Sequence, residues 1–264
     1  MTGFSMEIGA PLFVNYLGVL LVSCIRIFVV MFILPASSDE LLTGPARNGA
    51  VFVWGTFIAV GQLELLKDMS GATLAWLCMR EAIIGTIIGM SASTIFWVAQ
   101  GTGVYLDDIA SFNIIQLNNP LKSEQSTPIS SIIMQFTISV FWCYGGMSAL
   151  LGAIYESYTW WPLNSMLPVR DAMLQSFILT SADGLMLRIA KMASPVVFML
   201  LLVDLGFGFI GRNAEKLELT NLAQPIKGIV AVVLVTLLST MLFDQIRSEL
   251  AFASFGAALS KLLH

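Results

Sequence analysis

Charge is the first thing this sequence lacks. Only 11% of its 264 residues are Asp, Glu, Lys or Arg and 57% are hydrophobic, where a soluble globular domain carries about 25% charged residues. The chain is therefore of the membrane class, or is covered on most sides by other subunits. A net charge of −4 provides no basic face for nucleic acid. Histidine is almost absent: His264 is the only one, which removes Ser–His and Cys–His catalysis and any histidine-based metal cluster. Cys24, Cys78 and Cys143 are scattered through apolar segments with no CxxC spacing, so packed thiols are expected. No glycine-rich stretch is followed by GK[ST], so there is no phosphate-cradling loop. No cofactor is expected. The start carries Glu7 in place of a basic n-region and no small-residue cleavage site follows, so the apolar segments themselves are expected to direct insertion. Ten-residue alternation is missing too, which argues against a membrane barrel.

What is present is a series of long apolar runs. Ile8 to Ile25 is uncharged; Arg26 interrupts, and the run resumes to Ser38. Further runs cover Asn48–Leu63, Ala82–Leu106, Gln125–Tyr155 with a turn expected at Gly145-Gly146, Ala172–Ile210, and Gly228–Phe243, with an amphipathic tail to His264. A membrane span needs roughly 20 apolar residues at 1.5 Å rise each. The fold class read from these lengths is all-α, with about six to eight helices arranged as polytopic membrane-type hairpins, several marginal as lipid-facing spans. The polar connections are Pro35–Asn48, Asp107–Pro128 and Glu156–Asp171. The last contains Trp160 and Trp161, expected either at a membrane interface or at a subunit contact. Basic residues are spread over most connections, so the positive-inside count gives no orientation.

Six charges lie within or against these runs: Arg26, Arg80, Glu81, Arg188, Lys191 and Asp204. A charge in hydrocarbon costs a few kcal/mol. These residues must pair inside a bundle, lie outside the hydrocarbon, or serve a polar pathway. Glu81, Gly85, Gly89 and Ser93 are spaced by four and form one helix ridge on which another backbone can approach closely. The glycines of "QGTGVYLDD" (Gln100–Asp108) suggest a bend. Asp107 and Asp204 could meet as a carboxylate dyad, but an intramembrane aspartyl protease places its glycines before the aspartate, and "VDLGFG" has them after it. The 14 methionines are soft and adaptable. They pack in core and against lipid, or some of them, Met147 and Met166 among the candidates, seal a closed channel.

"ASPVVFMLLLVDLGFGFIGRNAEKLELTNLAQPIKG" (Ala193–Gly228) closely resembles the signature of the T subunit of the type III secretion export apparatus, the SctT/FliR family. The matching residues are Pro195, Asp204, Gly206, Gly208, Arg212 and Pro225-Ile226-Lys227. Upstream, Arg26 before Pro35, "REAIIGTIIG" with Arg80, Glu81, Gly85 and Gly89, and "GTGVYLDD" with Asp107 follow in the family's order. Thr102 and Tyr105 depart from the family pattern in that glycine-and-aspartate turn.

The resemblance implies a transporter component and not an enzyme. It implies a single domain over 1–264, with an R-like part (about 1–190) fused to an S-like hairpin (about 191–264). The R and S subunits would be partners in a right-handed helical gate through which unfolded proteins pass. The U and V subunits, an inner-rod or needle adaptor, secreted proteins in transit and membrane lipid would also contact it. The implied location is the bacterial inner membrane at the basal-body core, partly raised to the periplasmic side. The resemblance further implies that Asp204 sits among subunit partners, that Gly206 and Gly208 allow close approach or a bend within the hairpin, and that Arg212 and Lys227 meet carboxylates or carbonyls of neighbouring chains. The alternative from another class is a small-solute secondary transporter, which would show internal repeats and broken helices; no convincing halves are visible.

Overall fold

The computed structural model describes residues 4–62, 71–110, 127–163, 171–213, 219–237 and 244. Seven α-helices and one 3-10 turn account for nearly all of them: α1 (Phe4–Ile33), the turn Pro35–Ser37, α2 (Gly44–Gln62), α3 (Gly71–Ile109), α4 (Pro128–Cys143), α5 (Gly146–Trp160), α6 (Asp171–Asn213) and α7 (Leu219–Leu237). There is no strand among the described residues, and the chain is all-α, as its apolar run lengths require. Among the described residues three helices are long and apolar enough to cross a membrane, within Tyr16–Ile33, Gly71–Ile109 and Asp183–Arg212; the bent pair α4 and α5 would make a fourth if counted as one span.

Local chemistry sets the boundaries. Pro35 ends α1 because proline cannot extend the hydrogen-bond ladder, and Ser37 Oγ donates to the Leu34 carbonyl in the turn that follows. Pro128 starts α4 at its first position, where the missing N–H costs nothing. Gly145, at φ +68°, supplies the left-handed residue that separates α4 from α5. Inside α6, Pro195 removes the N–H that would serve the Lys191 carbonyl, and the Ser194 hydroxyl donates to that carbonyl at 3.0 Å in its place.

Two expected breaks are absent. α3 begins at Gly71, eleven residues before the uncharged run, and passes unbroken through Arg80, Glu81, Gly101 and Gly103. α6 passes unbroken through Gly206, Gly208 and Gly211. The glycines at 101 and 103 answer to close packing instead of a bend. A Cβ at Gly101 would lie 2.6 Å from Ile189 Cδ1, and one at Gly103 would lie 2.8 Å from the Ser130 backbone nitrogen.

The described residues form two compact units. The first comprises the chain as far as Ser93 together with Met147–Gln175; the second comprises Thr94–Gly146 and Ser176–Ala251. In the first, α1 packs on α2 and α3. Cys24 is buried, its thiol donates to the Val51 carbonyl, and Gly55 is the only residue type that fits over it. Met147 is buried in this unit too; Met166 lies outside the described residues. In the second, Leu106, Ile129, Ile133, Val196, Leu200 and Ala231 meet in one core from α3, α4, α6 and α7, with Phe96 edge-on to Phe141 at 5.4 Å between ring centroids. Cys143 is exposed, not packed.

Candidate functional site

The ridge Glu81, Gly85, Gly89, Ser93 lies against α1. A Cβ at Gly85 would come within 2.8 Å of the Arg26 carbonyl oxygen, and one at Gly89 within 3.2 Å of Val30 Cα; Ser93 Oγ donates to the Ile33 carbonyl at 3.2 Å. This close approach of backbones brings Arg26 of α1 level with Glu81 of α3, and both side chains are wholly buried.

Arg26 is satisfied on every side. Its Nε donates to Glu81 Oε2 at 2.8 Å and Nη2 to Oε1 at 3.1 Å, a bidentate pair. Nη1 donates to Ser157 Oγ at 2.7 Å, and Nη2 also reaches the Trp161 carbonyl at 3.1 Å. The guanidinium carbon lies 3.7 Å from the Tyr158 ring centroid, and the Tyr158 hydroxyl donates to the Ser23 carbonyl. Arg80 stands 3.5 Å from the same Glu81 and donates to the Leu163 and Pro162 carbonyls at 3.0 and 2.9 Å. Two guanidinium groups share one carboxylate, so carbonyl dipoles of Trp161, Pro162 and Leu163 carry the excess positive charge. Trp161 is buried in the core of its own unit. The side chain of Trp160 lies outside the described residues.

In the second unit, Asp107 is fully buried and caps a helix that is not its own. Its two carboxylate oxygens accept the N–H groups of Ile129 (3.2 Å) and Ser130 (3.0 Å) in the first turn of α4. Thr127, the residue in the capping position, makes no side-chain cap. Gly103 makes this possible: one turn before Asp107, it lets α4 come so close that a Cβ would strike Ser130 Cα. Ser130 Oγ completes the contact by donating to the Gln100 carbonyl at 3.2 Å. Asp204 of α6 forms an ion pair with Lys227 of α7. The two aspartates thus take separate partners, and the dyad they could have formed is not built. Lys227, expected to face a neighbouring chain, is engaged within its own.

The remaining candidates are placed without partners of this kind. Pro35 is half-buried in its turn, while Pro225 is exposed and sits inside α7. Arg212 is exposed in the last turn of α6, where its charge complements the helix dipole. Gly206, Gly208 and Gly211 have nothing within 4 Å of where a side chain would start. Around them lie Phe198, Leu201, Leu202, Leu205, Phe209 and Ile210, all exposed; only 17% of the Asp183–Arg212 window is buried. α2 shows a similar face with Phe52, Val53, Phe57 and Val60. Residues 214–218 lie outside the described residues, as do those beyond 244. Among the described residues no group of three His, Cys, Asp or Glu could hold a metal.

Sequence reasoning flagged the charges and missed what they grip. Ser157, Tyr158 and the carbonyls of 161–163 are more than 130 residues from Arg26 and carry no local pattern. The apolar run reads from Gln125, whereas α4 starts at Pro128 and takes its cap from Asp107, on another helix.

Residues 17–253 match the family described as bacterial export proteins, family 1. The chain is 29% identical over 215 residues to Yop proteins translocation protein T of Yersinia pestis, covering 80% of this chain and 82% of that one. It is 28% identical over 229 residues to secretion system apparatus protein SsaT of Salmonella typhimurium, covering 85% and 87%. To flagellar biosynthetic protein FliR of Bacillus subtilis it is 25% identical over 173 residues, covering 65% and 67%. With the family matched across nine-tenths of the sequence, from the first buried arginine past the Asp204–Lys227 pair, this chain belongs to the bacterial export proteins of family 1, the SctT/FliR family.

Proposed function

We propose that the chain is the T subunit of the inner-membrane export gate of a type III secretion system, helping to form the channel through which unfolded proteins are secreted. The observation that carries this reading is the match over residues 17–253, with relatives named as a Yop translocation protein and a secretion system apparatus protein along more than 80% of their length. The geometry agrees in kind. Buried charges are neutralised within the chain, and the faces of α2 and α6 are apolar, open and in need of cover. The role is transport and not catalysis.

The partners in this reading are the R and S subunits, with the U and V subunits, an inner-rod or needle adaptor and secreted proteins as further contacts. The chain would divide into an R-like part (about 1–190) and an S-like hairpin (about 191–264), and would sit at the basal-body core, partly raised to the periplasmic side. Deleting the gene and restoring it on a plasmid is the test. Secretion should stop and return, and affinity purification should bring down R- and S-type subunits. A deletion strain that secretes normally would refute the role.

A further inference from the structure

The second unit carries a groove of about 470 Å³ between α3 and α6, lined by Trp97, Gln100, Gly101, Val104, Tyr105 and Asp108 on one wall and Leu185, Met186 and Ile189 on the other. The α3 wall is one helix face: Trp97, Gln100, Val104 and Asp108 recur at three- and four-residue spacing, over about 16 Å of axis. Gly101 sets its floor, since Ile189 packs directly on it. Nearly all of the lining is apolar or aromatic. The exception in charge is Asp108, exposed at the end of the groove, with no ion-pair or hydrogen-bond partner among the described residues. Its neighbour Asp107 is fully committed to α4, so the two adjacent carboxylates have different employments.

An acyl chain laid in this groove would strand a carboxylate beside hydrocarbon, at a cost of a few kcal/mol. A helix or extended segment with an apolar side and one cation would not. Its lysine or arginine would neutralise Asp108, and the faces of Tyr105 and Trp97 would add cation–π attraction along the way. The wall is three helical turns long, the length over which a docked helix places three or four side chains.

Resting on the T-subunit reading, we propose that this groove seats a segment of a sister export-gate subunit that presents a lysine or arginine to Asp108. A photoactivatable phenylalanine analogue at Tyr105, in the assembled gate, tests this. The expected product is an adduct to one segment of a sister subunit with a lysine or arginine within a turn of the crosslinked residue. Asp108→Lys should reduce that adduct about tenfold or more and lower secretion at unchanged protein level. Asp108→Asn should act in the same direction more weakly, and reversing the partner's cation to Glu should restore Asp108→Lys. Adducts to lipid alone, adducts to no protein, or a partner segment without a cation would overturn the proposal, as would full secretion by Asp108→Lys. The wild-type chain separates the two readings. If it fails to restore secretion in the deletion strain, the T-subunit reading falls and takes this one with it. If it succeeds while the Tyr105 adduct is missing, only the groove assignment falls.

Discussion

Glu81 is the residue on which the first unit's charges balance. Truncating it to Ala leaves the buried Arg26 and Arg80 without the carboxylate they share, and breaking such a pair costs about 3–5 kcal/mol. Glu81→Ala should therefore be poorly accumulated in membranes by immunoblot, and Arg26→Lys should be milder but still impaired, because a lysine cannot make the bidentate contact. A glycine pair gives a cleaner contrast. Gly103→Ala places a methyl into the Ser130 backbone, whereas Gly152→Ala meets nothing within 4 Å. Overpacking costs about 1–3 kcal/mol, while an alanine on an open helix face gains up to about 1 kcal/mol. Thermal denaturation in detergent should show Gly103→Ala shifted down and Gly152→Ala unchanged or shifted up.

At the scale of elements, two contacts between helices depend on aspartate. α4 has no cap from its own Thr127 and borrows Asp107 from α3. Loss of an N-cap acceptor costs about 0.5–2 kcal/mol, and here the acceptor is charged and buried. Asp107→Ala should destabilise the protein by at least that much, and limited proteolysis should find new cleavage near the start of α4. The α6–α7 pair behaves differently, since Asp204 is 39% exposed and Lys227 14%; an exposed pair contributes up to about 1 kcal/mol. Asp204→Leu should leave membrane insertion intact and impair assembly or secretion, by leaving Lys227 charged on an apolar face. Adding Lys227→Leu should recover part of the loss. Equal defects in the single and double variants would show that the pair is not coupled.

Among the described residues the buried charges have partners, while large apolar faces lack cover. Large side chains are open on α2 in the first unit and on α6 and α7 in the second, among them Phe57, Phe209 and Ile229 at 71%, 69% and 66% exposure. Patches of this extent mark contact with protein or membrane. Substituting such residues should cost little in the isolated chain, within about 0.5 kcal/mol. Phe209→Ser and Leu205→Ser should thus melt like the wild type in detergent and yet recover fewer partner subunits on affinity purification. A variant that melts normally and assembles normally would place that face against lipid instead.

How much of this was legible in the sequence follows from the range of each interaction. Run lengths, Pro35 and Gly145 act on the residues beside them, so the all-α class, the end of α1 and the Gly145 turn could be read directly, while the start of α3 could not. The spacing of Glu81, Gly85, Gly89 and Ser93 is likewise a property of one helix, and it announced a close packing face. The sequence by itself determined which residues had to be special: a charge in an apolar run requires a partner, and a glycine in a helix requires a reason. Only the tertiary structure decided who the partner was and what the reason was. Glycines at 101 and 103 read as a bend because local φ freedom was the visible cause, yet α3 continues through them and neighbouring helices claim the space. Lys227 read as facing another chain, but folding brings Asp204 to it. Pairing is settled by distance in space, over separations of 22 to 135 residues, and no local pattern encodes that.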